Sequence, residues 1–167
     1  MHVGIIADTH DNVAAIERAS AVFEREGAEV VIHCGDFVAP PTIGAFEGFE
    51  LHGVLGNNDG DALNLQSAFD ALDGESELHG RFASLEFDGL EFAVLHGESK
   101  AEVEAIAAGE RYDVVCYGHH HQREHVAEGR TTVVNPGAHV LPSSEDDRTV
   151  AIVDTADASV QFRSVAA

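Results

Sequence analysis

The chain has 167 residues, 44% of them hydrophobic, which is enough to bury a core and suits one compact domain spanning 1–167. Thirty acidic residues face nine basic ones, a formal net charge of −21, and such a surface repels nucleic-acid backbones and anionic membranes at low salt. There is no apolar run of about 18 residues and no signal-peptide pattern, so the expectation is a cytoplasmic protein without a membrane span.

In chain order, His2–Ala7 reads as a short buried strand, followed by a polar loop, Asp8 to Asn12. Asp11 or Asn12 can cap a helix over Val13–Glu26, whose apolar residues recur at helical spacing and which Gly27 ends. Glu29–Cys34 is a second strand, running out into Gly35-Asp36. A short helix is expected over Thr42–Phe46, a third strand over Phe49–Leu55 and a second long helix over Ala62–Leu72.

The pattern then becomes richer in strands. Phe82–Phe87 and Leu90–Leu95 flank Asp88-Gly89, a strong hairpin signal. Lys100–Ala108 is helical, Tyr112–Tyr117 is an apolar strand, and Ser143–Asp147 reads as an acidic loop. Further strands fall around Glu124–Val126, Thr131–Val134, Thr149–Val153 and Ser159–Phe162. Cys34 and Cys116 lie in apolar runs without a Cys-x-x-Cys pair, as small core residues do. Alternating strands and helices, then hairpins, predict an α/β sandwich of two packed sheets with helices outside.

Five strands run out into polar motifs: Asp8-x-His10, Gly35-Asp36, Gly56-Asn57-Asn58-Asp59, His96-Gly97 and Gly118-His119-His120-His121. Singly, each also fits a turn, a helix cap or a core histidine. Together they place oxygen and imidazole ligands at strand ends, where open α/β sheets gather ligands. In an extended Asp-x-His or His-x-His segment both side chains point the same way, and the adjoining glycines permit tight turns. Such a ligand set suits Mn, Fe, Zn, Co or Ni.

In this order the motifs resemble the calcineurin-like metallophosphoesterases, in particular the small prokaryotic YfcE-like phosphodiesterases. The resemblance runs from Asp8 to Asn135-Pro136-Gly137, with every ligand position of the family pattern filled. It implies a four-layer αββα sandwich of two mixed β-sheets flanked by helices. It also implies two divalent ions, manganese foremost, one held by Asp8, His10, Asp36 and His121. The other would be held by Asp36, Asn57, His96 and His119, with Asp36 bridging. Family two-metal sites space their ions about 3.5–4 Å apart, and a hydroxide bridging them attacks a small phosphoester.

One position departs from many relatives. Where they carry His after the metal-binding Asn, this chain has Asn58. An amide cannot act as a general acid at neutral pH, so Asn58 is expected to orient a phosphate oxygen, with His120 as a candidate proton donor. That pairing favours diesters or good leaving groups. A phosphomonoesterase, a nuclease and a non-catalytic scaffold of the retromer-subunit kind are the alternatives. Scarce basic residues weaken the nuclease, and the full ligand set weakens the scaffold.

His33, His2, His52, His79 and His125 read as structural, His139 as a candidate for the substrate mouth, and Arg148 as half of a surface ion pair. The acidic surface resembles that of proteins from salt-loving microbes, an acidic partner-binding face being the other explanation. An apolar sheet edge would allow a homo-oligomer.

Overall fold

The computed structural model describes residues 1–165. Among them, strands β1 (His2–Ile6), β2 (Ala28–His33), β3 (Glu50–Gly53), β4 (Glu77–Leu78), β10 (Thr149–Asp154) and β11 (Ser159–Ser164) build one sheet in the order β11-β10-β1-β2-β3-β4. β5 (Phe82–Phe87), β6 (Leu90–Leu95), β7 (Val114–Cys116), β8 (Arg123–Glu128) and β9 (Thr131–Pro136) build the other in the order β5-β6-β7-β9-β8. Both are mixed: β1-β2-β3 and β6-β7-β9 run parallel, and the hairpins close antiparallel.

The central strands β1, β2, β7 and β10 are largely buried because both faces are covered, whereas the edge strands β8 and β11 are polar and more exposed. Val3 and Ile5 of β1, with Ile32, Phe92, Val94, Val134 and Val153, fill the layer between the sheets. The alternate positions Ile6, Val31 and Ile152 turn outward, beneath α1 (Val13–Glu26) and α2 (Ala62–Phe69). Gly4 faces the same way, and a Cβ there would sit 2.6 Å from the Phe23 ring, so α1 can lie this close only over glycine. Helix α3 (Lys100–Ala108) covers the second sheet through Val103 and Ala107. The result is the expected αββα sandwich.

Asn12 caps α1, its side chain accepting from the Ala15 N–H, and Gly27 ends that helix at φ 69°. Several boundaries differ from the sequence reading. The expected helix over Thr42–Phe46 is a 3₁₀ helix over Pro40–Phe46, led by two prolines at its first positions. Helix α2 stops at Phe69, after which Ala71 and Leu72 bond three residues back and tighten the chain. β3 and β7 are shorter than the apolar runs that contain them. The flanking residues bond outside the ladder, as where the Glu91 N–H reaches the Asp113 carboxylate. β4 has two residues, too few to show a period, and was not expected. The acidic Ser143–Asp147 loop contains a 3₁₀ turn over Glu145–Asp147, with Asp147 buried and accepting the Arg123 N–H at 2.9 Å.

Among the described residues no helix is long and apolar enough to cross a membrane. Cys34 and Cys116 are buried and free.

Candidate metal centre

The five motifs follow the carboxyl ends of the parallel strands β1, β2, β3, β6 and β7, where the two sheets meet. The loops bond to one another beyond the ladders. Asp8 N–H reaches the Gly35 carbonyl at 3.0 Å, His10 N–H the Asp36 carbonyl at 3.0 Å, and Gly118 N–H the His96 carbonyl at 2.9 Å. Asp8, His10, Asp36, His119 and His121 all sit at positive φ, from 41° to 66°. That conformation costs a non-glycine residue about 1 kcal/mol or more, and such strain concentrates at functional sites. Gly56 makes room for it: a Cβ there would lie 2.2 Å from Asp36 Oδ1.

The seven candidate ligands come together. One group is Asp8, His10 and His121, and a second is Asp8, Asp36 and His96. Asp36 Oδ2 lies 3.7 Å from His10 Nε2 and 3.4 Å from His96 Nε2, between the two groups. Asp8 Oδ1 lies 3.3 Å from His121 Nε2 and 4.0 Å from His96 Nε2, so Asp8 also spans both groups, which the ligand split implied by the family resemblance did not include. Asn57 Oδ1 is 3.1 Å from His96 Nε2 and 3.0 Å from His119 Nδ1.

Hydrogen bonds behind these atoms orient them. His96 Nδ1–H donates to the Cys34 carbonyl at 2.7 Å and His121 Nδ1–H to the Leu141 carbonyl at 3.0 Å, which turns each Nε2 inward. Asp8 Oδ2 accepts the His119 N–H at 2.9 Å, leaving Oδ1 inward. Burial opposes ionisation of Asp36, but hydrogen bonds from His96 and Asn58 outweigh it and hold the carboxyl below its usual range. Burial likewise disfavours a charged His96, yet the Asp36 and Asp8 carboxylates outweigh it and raise the ring to about 8. The Asp8 carboxylate beside its ring raises His121. The carboxylates thus gather positive charge at this point.

A divalent ion fits these atoms. Asp8 Oδ1 and His10 Nε2 are buried and have no hydrogen-bond partner, an expensive state that cation binding relieves. The donors are imidazole nitrogens and carboxylate or amide oxygens, a set for Mn, Fe, Co, Ni or Zn.

Asn58 turns onto Asp36, its side-chain amide donating to Oδ2 at 2.6 Å. His120 packs edge-on against Tyr117, with ring centroids 6.0 Å apart, and against His119 at 5.2 Å. It borders a separate cavity of about 340 Å³ lined also by Lys100, Arg123 and Glu124. There Lys100 and the Tyr117 hydroxyl both bond the Glu124 carboxylate. His33 is buried against Phe37, with Nε2 3.0 Å from Thr9 Oγ1. His139 is only 2% exposed, too enclosed for the substrate mouth for which it was a candidate. Burial, with Arg18 and Arg148 nearby, lowers its ring to about 4. Arg148 does pair with Glu145, at 3.3 Å, but also donates to the His139 carbonyl at 2.6 Å.

Two further residues went unassigned in the sequence. Asp59 is buried and accepts the backbone N–H groups of Asp36, Gly56 and Val38 at 2.9, 2.7 and 2.7 Å. Asn135 donates to the Gly118 carbonyl at 2.8 Å and so holds the histidine loop. Their signals were the acidic end of Asn57-Asn58-Asp59 and the Asn-Pro-Gly turn.

Comparison with known proteins gives a consistent picture. The model of the calcineurin-like phosphoesterase superfamily domain matches residues 1–158. A phosphodiesterase of Methanocaldococcus jannaschii, MJ0936, is 37% identical over 139 residues, covering 82% of this chain and 83% of that protein. The solved structure of a novel archaeal phosphodiesterase superposes with a TM-score of 0.88 at 34% identity, covering 98% of this chain and 99% of that one. YfcE, a phosphoesterase from E. coli, shares the fold at 16% identity and a TM-score of 0.71, over 99% of this chain and 100% of its own. The chain belongs to the calcineurin-like phosphoesterase superfamily.

Proposed function

We propose that this chain is a phosphodiesterase working with two divalent ions, held by Asp8, His10, Asp36 and His121 and by Asp36, Asn57, His96 and His119. The observation that carries the reading is the position of Asp36 Oδ2, within 3.7 Å of His10 Nε2 and 3.4 Å of His96 Nε2. One carboxylate oxygen thus faces imidazoles of both groups, as a bridge requires. The phosphodiesterase named in M. jannaschii supports the reaction class.

When bound, the ions supply Lewis acidity that neutralises phosphate charge and activates water. The chain's own residues hold that chemistry in place. Asp8 and Asp36 concentrate negative charge where ions bind, and the carbonyls of Cys34 and Leu141 fix the faces of His96 and His121. Asn58 spends its amide on Asp36, and His120 faces another cavity, so neither stands ready to protonate a leaving group. The substrates are therefore small diesters whose leaving groups depart without an acid.

We take manganese as the working ion, nucleic acid as a poor substrate for so acidic a surface, and a salt-rich cytoplasm as the setting. The test is hydrolysis of bis(p-nitrophenyl) phosphate by the full chain at high salt, with manganese and after chelation. Manganese should support turnover and chelation abolish it. No turnover with Mn, Ni, Co or Zn, despite bound metal, would leave a scaffold as the better reading.

A further inference from the structure

The cavity of about 340 Å³ that borders His120 contains none of the candidate metal ligands. It nevertheless adjoins the centre through a row of rings. The centroids of His96 and His119 are 5.1 Å apart, those of His119 and His120 5.2 Å, and those of His120 and Tyr117 6.0 Å. The row runs from two candidate ligands to the cavity wall, formed by Lys100, Tyr117, His120, Gln122 and Glu124. Arg123 also borders the cavity, but its guanidinium lies over the Phe162 ring, 5.7 Å from the centroid, and strand alternation puts it on the other face of β8 from Glu124.

The wall is polar, and its two charges neutralise each other. Lys100, the single lysine of the chain, bonds Glu124 and the Tyr117 hydroxyl, the latter at 2.6 Å, and Tyr117 in turn donates to Glu124. An ammonium has three N–H donors, and Lys100 spends two there. Both bonds to Glu124 end on Oε2, which leaves Oε1 to accept another. Among the described residues, neither the Gln122 amide nor the His120 ring has a hydrogen-bond partner. Unspent donors and acceptors thus line the cavity together. An anion would meet the Glu124 carboxylate, and an apolar group would strip water from Lys100 and Glu124 without replacing its bonds. A neutral group bearing several hydroxyls satisfies both signs. The volume stands at the small end of ligand pockets, roughly 300–1,000 Å³, with room for a glycerol or one sugar.

We propose that this cavity seats one ester group of the substrate, a glycerol or single sugar whose hydroxyls bond Glu124, Lys100 and Gln122 while the phosphate lies at the ions. The inference rests on the phosphodiesterase reading above and narrows it to diesters of polyols. Contacts to this remote group position the phosphorus for attack.

The experiment compares two diesters that share one leaving group, glycerol p-nitrophenyl phosphate and methyl p-nitrophenyl phosphate, on the manganese-loaded full chain. In wild type, kcat/KM should favour the glycerol ester about tenfold, and Glu124→Val or Gln122→Ala should bring the ratio toward one. A ratio near one in wild type, or one that neither variant lowers, would overturn the proposal and leave the phosphodiesterase reading standing. If neither diester turns over, that reading fails instead, and binding decides the pocket. Glycerol 3-phosphate, but not methyl phosphate, should shift the Tyr117 and His120 ring signals of the zinc-loaded chain. Equal or absent shifts would refute the pocket by themselves.

Discussion

Asn58 holds Asp36 at both oxygens: its backbone N–H reaches Oδ1 at 2.9 Å and its side-chain amide reaches Oδ2 at 2.6 Å. The carboxylate that faces both histidine groups is thereby fixed from behind. Asn58→Ala keeps the backbone bond and removes the amide. Partners that orient ligands typically contribute about 10–100-fold in metal affinity or activity, and a loss of that size is expected here. Titrating activity against manganese checks it, with the midpoint moving to higher metal concentration. A fall in kcat alone at saturating metal would instead assign Asn58 to the phosphate.

Asp59 supports the same loop from below, through its three backbone N–H donors. One of them belongs to Val38, a β-branched residue held at φ 77°. Asp59→Ala leaves buried donors without an acceptor, and the expected loss of stability is about 2–4 kcal/mol. Urea unfolding of the metal-free chain measures it. A change below about 0.5 kcal/mol, the range of ordinary surface substitutions, would show that the loop holds itself.

Two buried histidines make the fold acid-sensitive. Burial is the main cause in both, lowering His33 well below its ordinary value and His139 to about 4. In the unfolded chain each titrates near 6.5. Below that value the unfolded state binds more protons, so stability falls as pH drops from 6.5 toward 4. The His139 contribution across this window is on the order of 3 kcal/mol. His139→Leu should flatten the pH dependence of the urea midpoint there, and an unchanged slope would contradict the assignment.

A net charge of −21 on 167 residues predicts strong dependence on salt. Screening shrinks to about 3 Å in 1 M salt, which quiets repulsion among the exposed carboxylates. Circular dichroism during dialysis to low salt should show loss of structure, and full ellipticity retained there would refute a high-salt adaptation.

Much of the fold was legible because its signals are local. The helical spacing of Val13–Glu26, the Asp88-Gly89 turn and the apolar runs of β1 and β2 need no distant partner to be read. The motif residues were legible for a related reason, since each ends a strand and the carboxyl ends of strands from the two sheets converge. The boundaries of β3 and β7, and the existence of β4, depend on where a neighbouring strand stops offering hydrogen bonds, which composition does not encode. The same holds within the centre. Asn58 was read as orienting a phosphate oxygen and His120 as a candidate proton donor; in the structure the Asn58 amide bonds Asp36 and the His120 ring packs against Tyr117. The sequence by itself determined which candidate ligands exist and at which strand ends they stand. Only the tertiary structure decided which atoms face one another, because those directions are set by hydrogen bonds between loops far apart in the chain.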